Sequence, residues 1–128
     1  MKRGVIAIVK KNGKILLLSK KEGFQTIWQF PTCEVGENEE PESSGLRNMK
    51  EKFDLDVELK DFLDLLILPK STIYFYEFYP TTEELYLPKE FNNFSWVESS
   101  KLEDFLLKQT IDILPKEVIK TLKYWLIL

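Results

Sequence analysis

The sequence predicts an α+β fold in which a mixed β-sheet is covered on its faces by helices. Two observations predict it: several runs rich in β-branched and aromatic residues separated by turn signals, and two segments with the apolar spacing of a helix. A chain of 128 residues supports one hydrophobic core, so we expect a single domain over residues 1–128.

The strands are predicted from turn residues and from aromatic and β-branched runs. Asn12-Gly13 joins the first two apolar runs and is a strong hairpin signal, because both residues tolerate the positive φ of a type I′ turn. The segment "GFQTIWQFP" is expected to be a loop that leads to a short strand ending at Pro31. Further strands are predicted in "LDVELKDFLDLLIL", "STIYFYEFY" and "FSWVE".

Three segments are predicted to be helices. The first begins at Pro41, a favoured first helical residue, and runs to Phe53 with apolar residues three and four positions apart. Its small residues Ser43 to Gly45 suggest close packing against the sheet. A capping-box pattern at Ser100 to Glu103 opens a short helix, "KLEDFLL". Pro115 begins a terminal helix with a core-facing stripe drawn from Val118, Ile119, Leu122, Tyr124 and Trp125.

The composition excludes several classes of protein. A net charge of -3 and a pI near 5.1 argue against nucleic-acid binding through an extensive basic surface. Cys33 is the only cysteine and there is no histidine, which excludes disulfide frameworks, zinc fingers and His-based acid catalysis. A bound metal would therefore be a hard cation held by oxygen. No apolar run matches a membrane span or a signal peptide, so we expect a cytoplasmic protein without a membrane partner.

The acid-rich stretch "FPTCEVGENEEPESSGLRNMKEKFDLDV" resembles a Nudix box in a degenerate form. It resembles the Nudix signature: Gly, five residues of any kind, Glu, seven of any kind, then Arg-Glu-hydrophobic-any-Glu-Glu-any-Gly-hydrophobic. Aligned without gaps, residues 33–55 form the box. The positions that agree are Glu39, Arg47, Met49, Glu51 and Leu55. The positions that differ are Cys33 and Asp54, where the family has Gly, and Asn48 and Lys52, where it has Glu.

This resemblance implies a Nudix-like fold and a specific chemistry. Members of the family hydrolyse nucleoside diphosphates linked to another group, with Mg²⁺ or Mn²⁺ held by carboxylates of the box helix. Of those carboxylates Glu51 is kept, whereas Asn48 is neutral and Lys52 is a cation. One carboxylate and a substrate phosphate make a poor site for a dication. Weak or lost hydrolysis is the expectation, with Glu51 as the catalytic and metal-binding residue if the protein is active.

Other acids of the chain offer an alternative. Glu39, Glu37 and Glu98 could join Glu51 around Mg²⁺ or Mn²⁺ and replace the missing ligands. Glu39 could instead form an ion pair with Arg47 that supports the loop before the helix.

Five residues are candidates for ligand binding: Lys52, Arg47, Asn48, Trp28 and Ser71. Lys52 could meet a phosphate directly as a point charge. Trp28 could stack on a base, although aromatic residues in strands more often belong to the core. Ser71 follows from a narrower resemblance. The segments "TIWQFPTCEV" and "EVIKTLKYW" are similar to the Nudix-like C-terminal domain of MutY-type adenine-DNA glycosylases, in which a Phe-Ser-His segment approaches the damaged base.

Three functions remain open from the sequence. The first is a Nudix-like domain that recognises a nucleotide or a nucleoside-diphosphate-linked ligand, with hydrolysis weak or lost. The second is an active Mg²⁺-dependent pyrophosphohydrolase that uses substitute acids. The third is a module that binds a protein or DNA through the lysine-rich first hairpin or through the apolar "YWLIL", which could also form a homodimer contact. The sequence names neither the ligand nor the oligomeric state.

Overall fold

Seven strands and two helices make up the described part of the chain. The computed structural model describes residues 2–102, 104 and 116–126, with the backbone alone at 126. The strands are β1 (Lys2–Lys11), β2 (Lys14–Glu22), β3 (Gln25–Gln29), β4 (Thr32–Glu34), β5 (Val57–Ile67), β6 (Ser71–Pro80) and β7 (Asn93–Glu98). The helices are α1 (Pro41–Phe53) and α2 (Lys116–Leu126), and Ser99–Lys101 forms a 3-10 turn.

The strands form one mixed sheet. Its order is β3-β2-β1-β6-β5, with β4 beside β1 and β7 beside β2. β1 and β6 run parallel, and the other pairs are antiparallel. β1 pairs with β2 only next to their turn, at Lys10↔Ile15 and Lys11↔Lys14, and pairs with β4 nearer its start. The strands β1 and β2 therefore diverge away from the turn.

The first hairpin has the predicted turn chemistry. Asn12 and Gly13 adopt φ values of 53° and 76°, which belong to the left-handed region that a type I′ turn requires at both central positions. The predicted hairpin is confirmed.

Alternation along the strands separates two core clusters, one on each face of the sheet. Val5, Ala7 and Val9 of β1 belong to the cluster under α1, which also buries Met49 and Phe53. The cluster on the opposite face lies under α2. Its buried members are Ile6, Ile8, Ile15, Leu17, Phe30, Phe75, Val97, Leu102, Val118 and Leu122. The predicted fold class, a mixed sheet between helices, is confirmed.

Helix α1 approaches the sheet closely through its small residues. Ser44 and Gly45 are buried, while Ser43 is exposed. A Cβ at Gly45 would lie 2.8 Å from Cζ of Phe78 and 3.4 Å from Cγ1 of Val5. Glycine at this position therefore lets the helix backbone rest against the side chains of β1 and β6.

Several boundaries differ from the sequence-based expectations or lie outside the described residues. β4 was not predicted, because a three-residue strand has too little periodicity to detect. Of the short helix predicted over 101–107, only 101, 102 and 104 are described. The terminal helix is present from Lys116, and Pro115 lies outside the described residues. Within the described ranges, no helix is long and apolar enough to cross a membrane.

Candidate nucleotide site at helix α1

Glu39 ties the loop before α1 to the helix. Its Oε1 accepts hydrogen bonds from the backbone N–H of Gly36 at 3.2 Å and from the hydroxyl of Ser44 at 2.5 Å. Arg47 donates through Nε to Oε2 at 2.7 Å and through Nη2 to Oε1 at 2.9 Å. This bidentate ion pair between Arg47 and Glu39 holds the acidic loop in one conformation. The hydrogen bonds from Arg47 and Ser44 lower the pKa of Glu39 to about 2.

Arg47 also connects the loop to Glu51. Its Nη1 donates to Oε2 of Glu51 at 3.1 Å, one helical turn further along α1. The hydrogen bonds that Arg47 donates to Glu39, and then to Glu51, raise the pKa of Arg47 beyond its already high range. The guanidinium is therefore a fixed positive charge between two carboxylates.

Lys52 is held by a residue that the sequence did not single out. Its Nζ forms an ion pair with Oε1 of Glu90 at 2.8 Å and lies 5.3 Å from the ring centroid of Phe91. Phe91 in turn packs against Phe53 at the end of α1, with ring centroids 6.1 Å apart. The loop between β6 and β7 thus folds over α1 and fixes the Lys52 ammonium by an ion pair and a cation–π contact.

The donor set around α1 does not fit a divalent cation. Asn48 is half-buried and offers only an amide, Lys52 is positive, and Glu51 is exposed and partly engaged by Arg47. Among the residues that the structure describes, no group of three His, Cys, Asp or Glu side chains could hold a metal ion. Mg²⁺ needs several oxygen ligands near octahedral geometry, and this arrangement supplies too few.

Of the substitute acids considered from the sequence, Glu39 lies near Glu51, because both carboxylates accept hydrogen bonds from Arg47. Glu37 is exposed in the loop before α1, and Glu39 is occupied by the contacts described above. Glu98 lies opposite Lys14 where β7 pairs with β2, next to the turn of the first hairpin. The loop before α1 lies near the other end of β1, where the backbone N–H of Val35 donates to the carbonyl oxygen of Arg3. The role of these acids as metal ligands stays a prediction.

Trp28 and Ser71 are placed on the opposite face of the sheet from α1. Trp28 packs against the core cluster that lies under α2. Ser71 precedes Ile73 and Phe75 on the same side of β6, and those two residues belong to that cluster. The structure brings Arg47, Asn48 and Lys52 together on α1 and leaves Trp28 and Ser71 elsewhere.

Asp54 and Cys33 occupy two positions where the Nudix signature has Gly, and their surroundings in the structure differ. Asp54 ends α1 with φ 51°, and its backbone N–H donates to the carbonyl of Lys50 at 3.0 Å. A helix that ends in the left-handed conformation usually has Gly at this position. Asp can adopt the same conformation, but at a cost in conformational energy. Cys33 lies in β4, where its thiol contacts the carbonyl oxygen of Ser44 at 3.6 Å. Burial raises the pKa of the Cys33 thiol, which disfavours a nucleophilic role.

The fold is that of Nudix hydrolases. No family model matches the sequence, and no curated protein matches it either. A Nudix hydrolase from Nitrosomonas europaea is similar in structure, with TM-score 0.75 and 17% identity over 98% of this chain and 69% of that one. An Ap4A hydrolase from C. elegans, solved as a binary complex, gives TM-score 0.67 and 16% identity, with 98% and 95% covered.

A MutT protein from Methanosarcina mazei is also similar, with TM-score 0.68 and 18% identity over 96% of this chain and 91% of that chain. These likenesses establish the fold. They come from structure, since fewer than one residue in five is shared in each case.

Sequence reasoning missed Glu90, Phe91 and Ser44 as parts of this site. The available signal for the first two was an acid next to an aromatic residue in "PKEFNN", just before a strand. Their partner on α1 lies nearly forty positions earlier, so only the tertiary fold identifies the contact. Ser44 was expected to pack closely, and it also bonds the carboxylate of Glu39.

Proposed function

We propose that this chain is a Nudix-fold domain that binds a nucleotide or a nucleoside-diphosphate-linked ligand at α1, with metal-dependent hydrolysis weak or lost. The observation that carries the proposal is the Lys52 ammonium, fixed by Glu90 where the box has a carboxylate. A cation held at this position can meet a ligand phosphate without an intervening metal.

The hydrogen-bonding capacity of Lys52 supports direct phosphate binding. An ammonium has three donors, and the ion pair with Glu90 accounts for one of them. The contact with Phe91 restricts the side chain without using a further acceptor. About a third of the Lys52 side chain remains accessible, so solvent and a ligand can reach it. Arg47 adds a second cation on the same helix, although its charge is shared with two carboxylates.

The same charges argue for weak hydrolysis. A dication near Glu51 would also lie near Lys52. Two unit charges of the same sign about 4 Å apart in water repel by about 1 kcal/mol, and a dication and an ammonium by about 2 kcal/mol. Substrate phosphate and one carboxylate offer little to offset that repulsion.

The other two functions stay predictions. An active Mg²⁺-dependent hydrolase would need substitute acids to move toward Glu51. An interaction module that uses the lysine-rich hairpin would have to use two separate groups, because Lys14 and Lys20 lie near opposite ends of β2, roughly 20 Å apart along an extended strand. Of "YWLIL", Tyr124 and Trp125 are exposed and the last two residues lie outside the described ranges. The cytoplasmic location is likewise a prediction.

The names of structural neighbours suggest the probes for a first test. Two hydrolases of similar structure are named for ADP-ribose and Ap4A, nucleotides in which a chain of phosphates joins a nucleoside to a second group. We expect both to bind in the presence of EDTA and to bind at least several-fold more weakly to Lys52→Ala. Lys50→Ala is the matched control, since Lys50 is two residues away but pairs with Asp54 and Asp56 at 3.3 and 3.2 Å.

A turnover assay separates the binding protein from the enzyme. Release of phosphate or nucleoside monophosphate from Ap4A, ADP-ribose and oxidised nucleoside triphosphates would be followed with Mg²⁺ or Mn²⁺, for the native chain and Glu51→Gln. We expect little or no turnover in both. Metal-dependent turnover that is lost in Glu51→Gln would establish the active hydrolase instead.

A further inference from the structure

A surface cavity lies at the first hairpin, away from α1. Its volume is about 300 Å³, and it is lined by Lys11 and Lys14 beside the turn, by Pro80 and Thr82 after β6, by Glu83, and by Trp96 of β7. None of these residues lies in the segment 33–55 that resembles the box. A cavity of this volume is at the lower end of the range for small-molecule sites.

The walls of the cavity combine an apolar surface with a flat aromatic ring. Pro80 is buried, and Trp96 is half-buried against the core cluster under α1. The indole N–H of Trp96 makes no hydrogen bond with any described residue. An indole held in this way offers a face for a planar ring and a donor at its edge.

Two of the residues that line this cavity are lysines without an ion-pair partner among the described residues. Neither Lys11 nor Lys14 forms an ion pair with a described residue, whereas Lys50 and Lys52 on α1 are both paired. Glu98 is opposite Lys14 in the β2–β7 pairing but does not reach ion-pair distance. Glu83 contributes one negative charge to the lining. The hydroxyl of Thr82 accepts from the N–H of Asp56 and keeps its own proton to donate.

We propose that this cavity is a second binding site, for a small aromatic phosphate monoester of the size of a nucleoside monophosphate. A phosphate monoester carries between one and two negative charges at neutral pH, which matches two unpaired ammonium groups better than a carboxylate does. The ring occupies the apolar wall at Trp96, and the phosphate lies toward Lys11 and Lys14, away from Glu83. This site is independent of the function proposed for α1.

NMR titration of the ¹⁵N-labelled chain tests the site, with the indole N–H signal of Trp96 assigned by its loss in Trp96→Phe. The probes are adenosine 5′-monophosphate, adenosine, and inorganic phosphate, so that ring and charge are tested separately. We expect the nucleotide to shift the Trp96 signal saturably at millimolar concentration, and each partial probe to bind several-fold more weakly.

Variants decide which residues hold the probe. Lys11→Ala/Lys14→Ala should weaken nucleotide binding roughly ten-fold, since each exposed charge pair contributes a factor of a few. Lys20→Ala/Lys21→Ala removes two equally unpaired lysines outside the cavity and should leave binding unchanged. Glu83→Gln removes the opposing charge and should tighten binding about two- to three-fold.

Three outcomes would overturn the second site. The first is a Trp96 signal that does not move with the nucleotide. The second is a response that is the same in both double-lysine variants and in Glu83→Gln. The third is a response that disappears in Lys52→Ala, which would assign the nucleotide to α1 alone. The proposal for α1 fails on a different result: binding of ADP-ribose or Ap4A in EDTA that is the same in the native chain and in Lys52→Ala. The two sites are therefore tested separately.

Discussion

Glutamate substitutions at Asn48 and Lys52 test whether the side chains at these two positions disfavour a metal at α1. Positions 48, 51 and 52 share one face of the helix, because residues three and four apart are neighbours there. Asn48→Glu/Lys52→Glu places two new carboxylates beside Glu51 and removes the ammonium. It also releases Glu90, whose Oε1 lies 2.8 Å from Nζ of Lys52 in the native chain.

The size of the effect follows from the charges. A unit charge about 4 Å from a dication contributes about 2 kcal/mol in a water-like dielectric, and the double substitution gains two attractions and loses one repulsion. The sum of about 6 kcal/mol is an upper bound, because salt screens exposed charges and ordering exposed side chains costs entropy. The Glu51 side chain is 63% exposed and that of Lys52 is 32% exposed. We expect less than half of it, or roughly 100-fold tighter binding of Mn²⁺.

Isothermal titration with Mn²⁺ measures this gain. Asn48→Gln/Lys52→Gln is the matched control, since it removes the ammonium and keeps the side-chain lengths without adding carboxylates. Adding Glu90→Gln to the glutamate variant should then weaken Mn²⁺ binding if the released carboxylate becomes a ligand. Equal Mn²⁺ affinity in the glutamate and glutamine variants would refute the argument that charge at positions 48 and 52 excludes the metal.

Three further predictions concern the frame of the site. Gly45→Ala should destabilise the fold by about 1 kcal/mol in urea denaturation, because crowding against Phe78 exceeds the gain in helix propensity; unchanged stability would show that the contact relaxes freely. Asp54→Gly should stabilise it by about 0.5 kcal/mol, since relief of the positive φ outweighs the exposed pair with Lys50; destabilisation would refute this. Glu39 has a pKa lowered to about 2, so its stabilising effect is complete above about pH 4.5 and lost as pH falls toward 2. The difference in the free energy of unfolding between the native chain and Glu39→Gln should therefore decrease as pH falls over that range. A difference that does not change with pH would contradict this prediction.

Local signals were sufficient to predict most of the framework. Pro41 and the apolar spacing up to Phe53 gave the bounds of α1 correctly, because a helix start and its buried stripe are both written in consecutive residues. Asn12-Gly13 predicted the first turn for the same reason. β4 escaped prediction, since three residues paired with β1 carry no periodicity of their own.

The candidate site was predictable only in part. The spacing of Glu39 and Arg47 suggested an ion pair, and the two side chains do meet at 2.7 Å. The partner of Lys52 depends on how the loop between β6 and β7 folds over α1, which no short-range pattern in the chain records. The separation of Trp28 from α1 depends on which face of the sheet its strand presents, and that is set by pairing with β2.

The metal dependence of ligand affinity tests the central claim most directly. ADP-ribose or Ap4A would be titrated calorimetrically into the native chain in EDTA and then in excess Mg²⁺. If Lys52 takes the place of a metal, the dissociation constant should be the same in both buffers to within a few-fold. Binding that requires Mg²⁺, or that tightens ten-fold or more on its addition, would contradict the account and show that the box still holds a cation.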